Sequence, residues 1–201
     1  MRILIVPTIR ETYKDQFEHC VDLRLITFLK KIFKNSSIEI YNFTIKNNYD
    51  LVVLSGGNSL TFQNKADRLR NKINNTIYNL ALKKKIKILG ICLGAQFLAK
   101  KFGYILRKKI NHVGYHKVLF NINKTNFKKV VNSYHNDSIV LKKRNIMNIF
   151  GTAEDNTVEA FHVKNKKILG IMWHPERYNK FKYFDQKLIK EFYATNSIVG
   201  R

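Results

Sequence analysis

The sequence predicts an α/β fold with a mostly parallel central sheet covered by helices on both faces. Three observations carry it. The short apolar runs RILIV (2–6), LVVL (51–54), ILGI (88–91) and ILGI (168–171) are continuous rather than alternating, as strands buried on both faces are. Segments with apolar residues at helical spacing lie between them. Loop signals follow the strands: SGGN after 51–54, G-x-C-x-G at 90–94 and WHPE after 168–172. In such folds ligands bind beyond the carboxyl ends of the strands, so those three loops are the first places to look for chemistry.

The elements are expected in the following order. A strand covers 1–7, and a helix over 20–33 (CVDLRLITFLKKIF) follows. Strands come at 37–43 and 51–54, then a helix over 66–82, a strand over 86–91 and a helix over 95–102 closed by Gly103 as C-cap. From Gly114 onward strands dominate: HKVLFNI, KKVVNSY, SIVLKK, VEAFHV and KILGIMW. A helix over 183–193 ends the pattern. With 201 residues, 45% of them hydrophobic, and no repeat, linker or low-complexity tract, one domain over 1–201 is the expectation.

The bulk composition narrows the function classes. Two cysteines, Cys20 and Cys92, make no disulfide framework and point to reduced thiols and a cytoplasmic setting. The apolar run at the start meets charge too soon for a signal peptide, and no run reaches the ~18 apolar residues of a membrane span. The chain carries 37 Lys+Arg against 14 Asp+Glu, a net charge of +23. The charge is spread in pairs and triplets, including 30–31, 83–85, 100–101, 108–109, 128–129, 142–143 and 166–167, with no block of five or six. Together with many Asn and Ile and two Pro, this fits AT-rich coding bias; attraction of an anionic small substrate is a second reading and nucleic-acid binding a third.

The chemistry centres on Cys92. Gly90-Ile91-Cys92-Leu93-Gly94 lies between a strand and a helix, the context of a nucleophile elbow. Glycines on either side relieve the tight turn, and the helix N-terminus is expected to lower the thiol pKa. The backbone N–H of Leu93 points toward an attacked carbonyl oxygen. A thiolate needs a base and an orienting group. His174 follows a strand in Trp173-His174-Pro175-Glu176, where Pro175 stops the ladder, and Glu176 two residues on shares its side. The expected triad is Cys92, His174 and Glu176. The Gly-Gly turn of Ser55-Gly56-Gly57-Asn58 offers a second oxyanion donor, the N–H of Gly57. Neither a Walker-type nor a dinucleotide-binding glycine motif is present. Cys20, at the start of a predicted helix, lacks an elbow. His112 and His116 have Gly114 between them, so no metal-site spacing and no cofactor are read here.

Gly56-Gly57, Gly90-Ile-Cys92-Leu-Gly94-Ala-Gln96, Asn132-Ser-Tyr-His135, Val158-Glu-Ala160 and His174-Pro-Glu176 together resemble the class I glutamine amidotransferase family, over roughly 50–178. The resemblance implies attack of a thiolate on a γ-glutamyl carboxamide, a γ-glutamyl thioester, and release of glutamate by water. It also implies that Gln96, Asn132, Ser133, Tyr134 and His135 hold the glutamyl amino and carboxylate groups. Val6-Pro7-Thr8, the GGNSL loop and NSYHND look closer to the stand-alone γ-glutamyl hydrolase branch than to glutaminase subunits that pass ammonia to a synthetase, which remain the alternative. Two departures suggest a leaving group other than a polyamine or folate. Met172 stands where the family often has Gln, and Arg70-Asn-Lys-Ile-Asn74 where relatives often read R-D-x-x-E. A nucleotide diphosphate leaving group would suit the basic composition. Arg10 and Tyr13, with Lys14 a weaker candidate, follow the first strand and are expected at the site edge. The expected partner is thus a small γ-glutamyl substrate, with no nucleic acid and no membrane.

Overall fold

The computed structural model describes residues 1–45, 48–108, 112–141, 146–163 and 165–195. Lys109, Lys142 and Lys143 of the basic pairs, and with them the end of the expected strand SIVLKK, lie outside the described residues.

The apolar runs become the centre of one eleven-stranded sheet. Strands β1 (Arg2–Val6), β4 (Ser37–Ile40), β5 (Leu51–Leu54), β6 (Lys87–Ile91) and β13 (Ile168–Ile171) pair in the order β4-β1-β5-β6-β13, all parallel. Their alternate residues feed two cores. Leu4, Val6, Val52, Leu54 and Ile88 face one side, under α2 (Lys65–Lys83) and α3 (Leu93–Lys101). Ile3, Ile5, Leu51, Val53, Leu89 and Ile91 face the other, under α1 (Leu23–Ile32) and α4 (Tyr183–Thr195). Burial on both faces is the reason these strands read as continuous apolar runs.

The sheet continues as an antiparallel extension: β12 (Thr157–Val163), β11 (Asn148–Ala153), β8 (Val113–Ile122) and β9 (Thr125–Tyr134), in that order outward from β13. A side branch joins β10 (Asp137–Val140) to β12 and to β7 (Leu106–Lys108). β7 and β11 were not predicted. β7 is short and β11 carries two register irregularities against β12, which break its alternation.

One predicted element is corrected. Residues 8–20 fold as a hairpin of β2 (Thr8–Tyr13) and β3 (Gln16–Cys20), turning at Asp15 with φ 62°. Cys20 therefore ends a strand, and the helix starts at Leu23. Asp22 sets that start by accepting a hydrogen bond from the Arg24 backbone N–H (2.9 Å), an N-cap that outweighs the apolar Cys20 and Val21. The Leu25, Phe28, Leu29 and Ile32 stripe is buried as the helical period requires. Among the described residues no helix is long and apolar enough to cross a membrane.

Candidate functional site

Three loops leave the carboxyl edge of the parallel strands side by side. β6 ends at Ile91, and Cys92 takes φ 50°, ψ −105° before α3 begins at Leu93. That left-handed, strained conformation is what an elbow imposes on a non-glycine residue. Its glycines are dictated by contact. A Cβ on Gly94 would stand 2.1 Å from Leu54 O, and one on Gly90 2.7 Å from the Gly94 carbonyl. The helix starts earlier than predicted, so Cys92 sits directly at its N-terminus.

His174 follows β13, with Pro175–Arg177 as one 3-10 turn. Its Nδ1 lies 2.6 Å from Glu176 Oε1, and both side chains are buried. The main chain of His174 is held by a two-point clamp. Its N–H donates to Asn132 Oδ1 (2.9 Å), and Asn132 Nδ2 donates to its carbonyl (2.8 Å). Arg24 of α1 ties the turn from the other side, Nε donating to Glu176 O (3.0 Å) and Nη2 to Tyr178 O.

The Ser55–Asn58 loop is pinned at every residue but one. Arg70, fully buried in α2, donates to Ser55 O (2.9 Å) and Ser55 Oγ (3.3 Å). Thr8 Oγ1 donates to Gly56 O (2.8 Å), and Asn58 exchanges two hydrogen bonds with the Ile9 main chain. Gly57, at φ 85°, lines the cleft. Gly56 joins the three loops: a Cβ there would stand 2.5 Å from His174 Cε1, 3.1 Å from His174 Nε2 and 3.4 Å from Cys92 Cβ. The unprotected edge of the imidazole and the cysteine side chain thus flank the same bare glycine.

These groups border a cleft of about 270 Å³, lined by Gly57, Cys92, Leu93, Gln96, Tyr134, His135, His174 and Arg177 among others. Gln96 Nε2 donates to Asp137 O (2.7 Å). The Tyr134 and His174 rings meet in a T, centroids 5.4 Å apart, and the Arg177 guanidinium lies over the Tyr134 ring, 4.8 Å from its centroid.

Several expected site residues fall elsewhere. Asn132 and Ser133 are buried and turned away from the cleft. The amide of Asn132 is occupied by the His174 clamp, and Ser133 Oγ donates to His112 O. Arg10 pairs across the hairpin with Glu18, and neither it nor Tyr13, 73% exposed, lines the cleft. The hairpin, in a segment to which the sequence assigned no element, carries them away. The expected lowering of the thiol pKa is also corrected for the empty cleft. Burial pushes the Cys92 thiol up to about 12, against the opposing pull of the Leu93 N–H. Arg24 and Arg177 went unpredicted, and Gly56 and Arg70 were read only as motif positions, with no role at the site. Arg177 adjoins the His-Pro-Glu motif, which was a signal; the others hold the site through contacts distant in sequence.

A family model described as glutamine amidotransferase class-I matches residues 13–195. The chain is 36% identical over 174 residues to the gamma-glutamyl-CDP-amidate hydrolase of Campylobacter jejuni, covering 83% of this chain and 84% of that protein. It is 32% identical over 150 residues to the glutamine-hydrolyzing GMP synthase of Tropheryma whipplei, where it spans 27% of that protein's length. Among solved structures it is similar to a glutamine amidotransferase from Thermotoga maritima, with TM-score 0.68 and 22% identity over 97% of this chain and 82% of that one.

Proposed function

The chain belongs to the class-I glutamine amidotransferase family and is a cysteine-dependent γ-glutamyl amide hydrolase; from that premise we propose that its substrate is a γ-glutamyl phosphoramidate of a nucleoside diphosphate, of the γ-glutamyl-CDP-amidate type. The observation that carries the reading is the match along most of both chains to a hydrolase of that substrate, whereas the synthase match covers only a fraction of the larger protein.

The proposed roles follow from the geometry. Substrate enters the cleft with its γ-carbonyl over Cys92 and its oxygen toward the N–H groups of Leu93 and Gly57. A thiol held at a pKa of about 12 is not a standing thiolate, so its proton leaves as Sγ attacks, passing to Nε2 of His174. Glu176, 2.6 Å from Nδ1, accepts from that nitrogen and stabilises the imidazolium. The imidazolium protonates the amidate nitrogen, the C–N bond breaks and a γ-glutamyl thioester remains. Water then gives a proton to Nε2 and its oxygen to the acyl carbon. Glutamate leaves, and the proton returns to Sγ. Gln96 and His135 line the wall assigned to the glutamyl group. At the mouth, Arg177 supplies a cation for the diphosphate, and the exposed ring of Tyr134 offers a flat face to the base.

The test is hydrolysis by the isolated chain, with γ-glutamyl-CDP-amidate and glutamine compared at equal concentration. Release of glutamate and cytidine diphosphoramidate at a kcat/KM well above that for glutamine is expected, with loss of activity in Cys92→Ala. Equal or better turnover of glutamine, further raised by a partner protein, would establish a glutaminase subunit instead.

A further inference from the structure

Behind the cleft wall lies a group of buried ionisable side chains, of which His135 alone also lines the cleft. Glu159 of β12 is fully buried. Around its carboxylate stand His112, His116 and His135, from the segment before β8, from β8 and from the segment after β9. His112 Nδ1 and His135 Nε2 are each 3.7 Å from Oε1, and His116 Nε2 is 3.3 Å from Oε2. None of these approaches is aligned as a hydrogen bond, and among the described residues both carboxylate oxygens, His112 Nδ1 and both nitrogens of His116 and of His135 are buried with no hydrogen-bond partner. Buried polar groups ordinarily have hydrogen-bond partners, and leaving one without is costly. A cluster of this kind implies something between its members.

The geometry points to a divalent transition cation of the zinc class, bound by His112 Nδ1, His135 Nε2 and Glu159 Oε1. These three atoms lie within 4.8 Å of one another. Ligands at zinc distances of ~2.0–2.2 Å are ~3.3–3.5 Å apart in a tetrahedron, so each atom has well under 1.5 Å to close. Two nitrogens and a carboxylate oxygen are a borderline donor set, which excludes magnesium and calcium as the favoured occupants. The surrounding groups are those a metal site requires. Asp155 Oδ2 lies 3.2 Å from His112 Nε2, fixing the tautomer that leaves Nδ1 with its lone pair inward. His116 stands behind the second oxygen of Glu159. The site would tie β12 to the approaches of β8 and β9, and His135 would be shared between the metal and the cleft.

The test uses the full chain as Cys92→Ser, so that no catalytic thiolate competes, stripped with chelator and titrated with Co²⁺. One equivalent is expected to give the visible absorption of a four-coordinate cobalt without thiolate charge transfer, reversed by Zn²⁺, and Zn²⁺ is expected to raise Tm. His112→Ala and Glu159→Gln should abolish the absorption, and Asp155→Asn should weaken binding about 10–100-fold. His162→Ala, a buried histidine outside the cluster, should leave it unchanged. Failure of the Cys92→Ser chain to bind Co²⁺ or Zn²⁺ stoichiometrically overturns the proposal, as does binding that survives His112→Ala undiminished. Should Glu159→Gln fail to fold, the His112 and Asp155 variants decide. Hydrolysis of any substrate is not a readout here, so this result and that of the substrate assay are independent.

Discussion

At the scale of single residues, the site depends on one glycine as much as on its triad. Gly56 has an ordinary backbone angle, so alanine would fit its conformation, yet its methyl would sit 2.5 Å from His174 Cε1. The ring must move against its Glu176 hydrogen bond, because the Asn132 clamp holds the main chain in place. Gly56→Ala is therefore expected to lower kcat/KM by about 10²-fold with little change in Tm, since misplacement of a reacting group by an ångström costs about that much. Steady-state kinetics beside a melting curve checks it. That Cys92, His174 and Glu176 would meet was legible in the sequence because elbow, histidine and glutamate each carry a local motif. Gly56 was visible only as half of a turn. The environment of Cys92 was misjudged: helix position is local and readable, whereas the burial that raises its pKa is tertiary.

At the scale of elements, the loops are held from behind by helices, and the hold has an electrostatic cost. α4 places Asp185 beneath Trp173, the residue before His174, accepting from its indole Nε1 (3.1 Å). Burial raises the Asp185 carboxyl to about 6, while the indole N–H and nearby lysines pull it down. The folded state then binds a proton more tightly than the unfolded chain, whose Asp has its ordinary value near 3.9. Stability from this group is fully present below about pH 4 and is lost as pH rises through about 6. Asp185→Asn keeps the acceptor for the indole and removes the charge. It should remove this part of the pH dependence and stabilise the protein at pH 7 by about 2–3 kcal/mol, read from denaturant melts of both proteins at pH 4 and pH 7. A wild-type and variant difference that does not grow between those pH values would show that Asp185 is solvated. α2 does similar work with Arg70, whose burial lowers it to about 9 and whose Nε partner is Asn74 (3.1 Å). The central parallel strands were readable as continuous apolar runs, and the four helices of the described residues because each repeats a burial period. The β2–β3 hairpin was not, because its exposed residues give no alternation: TIRETY has one buried position.

At the scale of the molecule, the fold gathers at one sheet edge residues whose sequence positions range from 8 to 177. The parallel half supplies Cys92, His174 and the loop of bare glycines. The antiparallel half supplies Tyr134 and His135 and, behind them, the histidine–glutamate cluster, whose members no spacing in the sequence brings together. Of the two thiols, Cys92 is buried at the cleft and Cys20 is partly exposed at the end of the hairpin. An undirected alkylating reagent should therefore modify Cys20 first, since Cys92 is shielded and burial pushes its thiol up to about 12. A γ-glutamyl-directed chloroketone should reverse the order, because only its binding brings an electrophile to Sγ with His174 ready to take the proton. The direct measurement is peptide mass spectrometry after one equivalent of that reagent at pH 7. A single adduct on Cys92, absent in His174→Ala, is the expected result; equal modification of Cys20 and Cys92, or an adduct that does not require His174, would contradict a Cys92 nucleophile activated by His174.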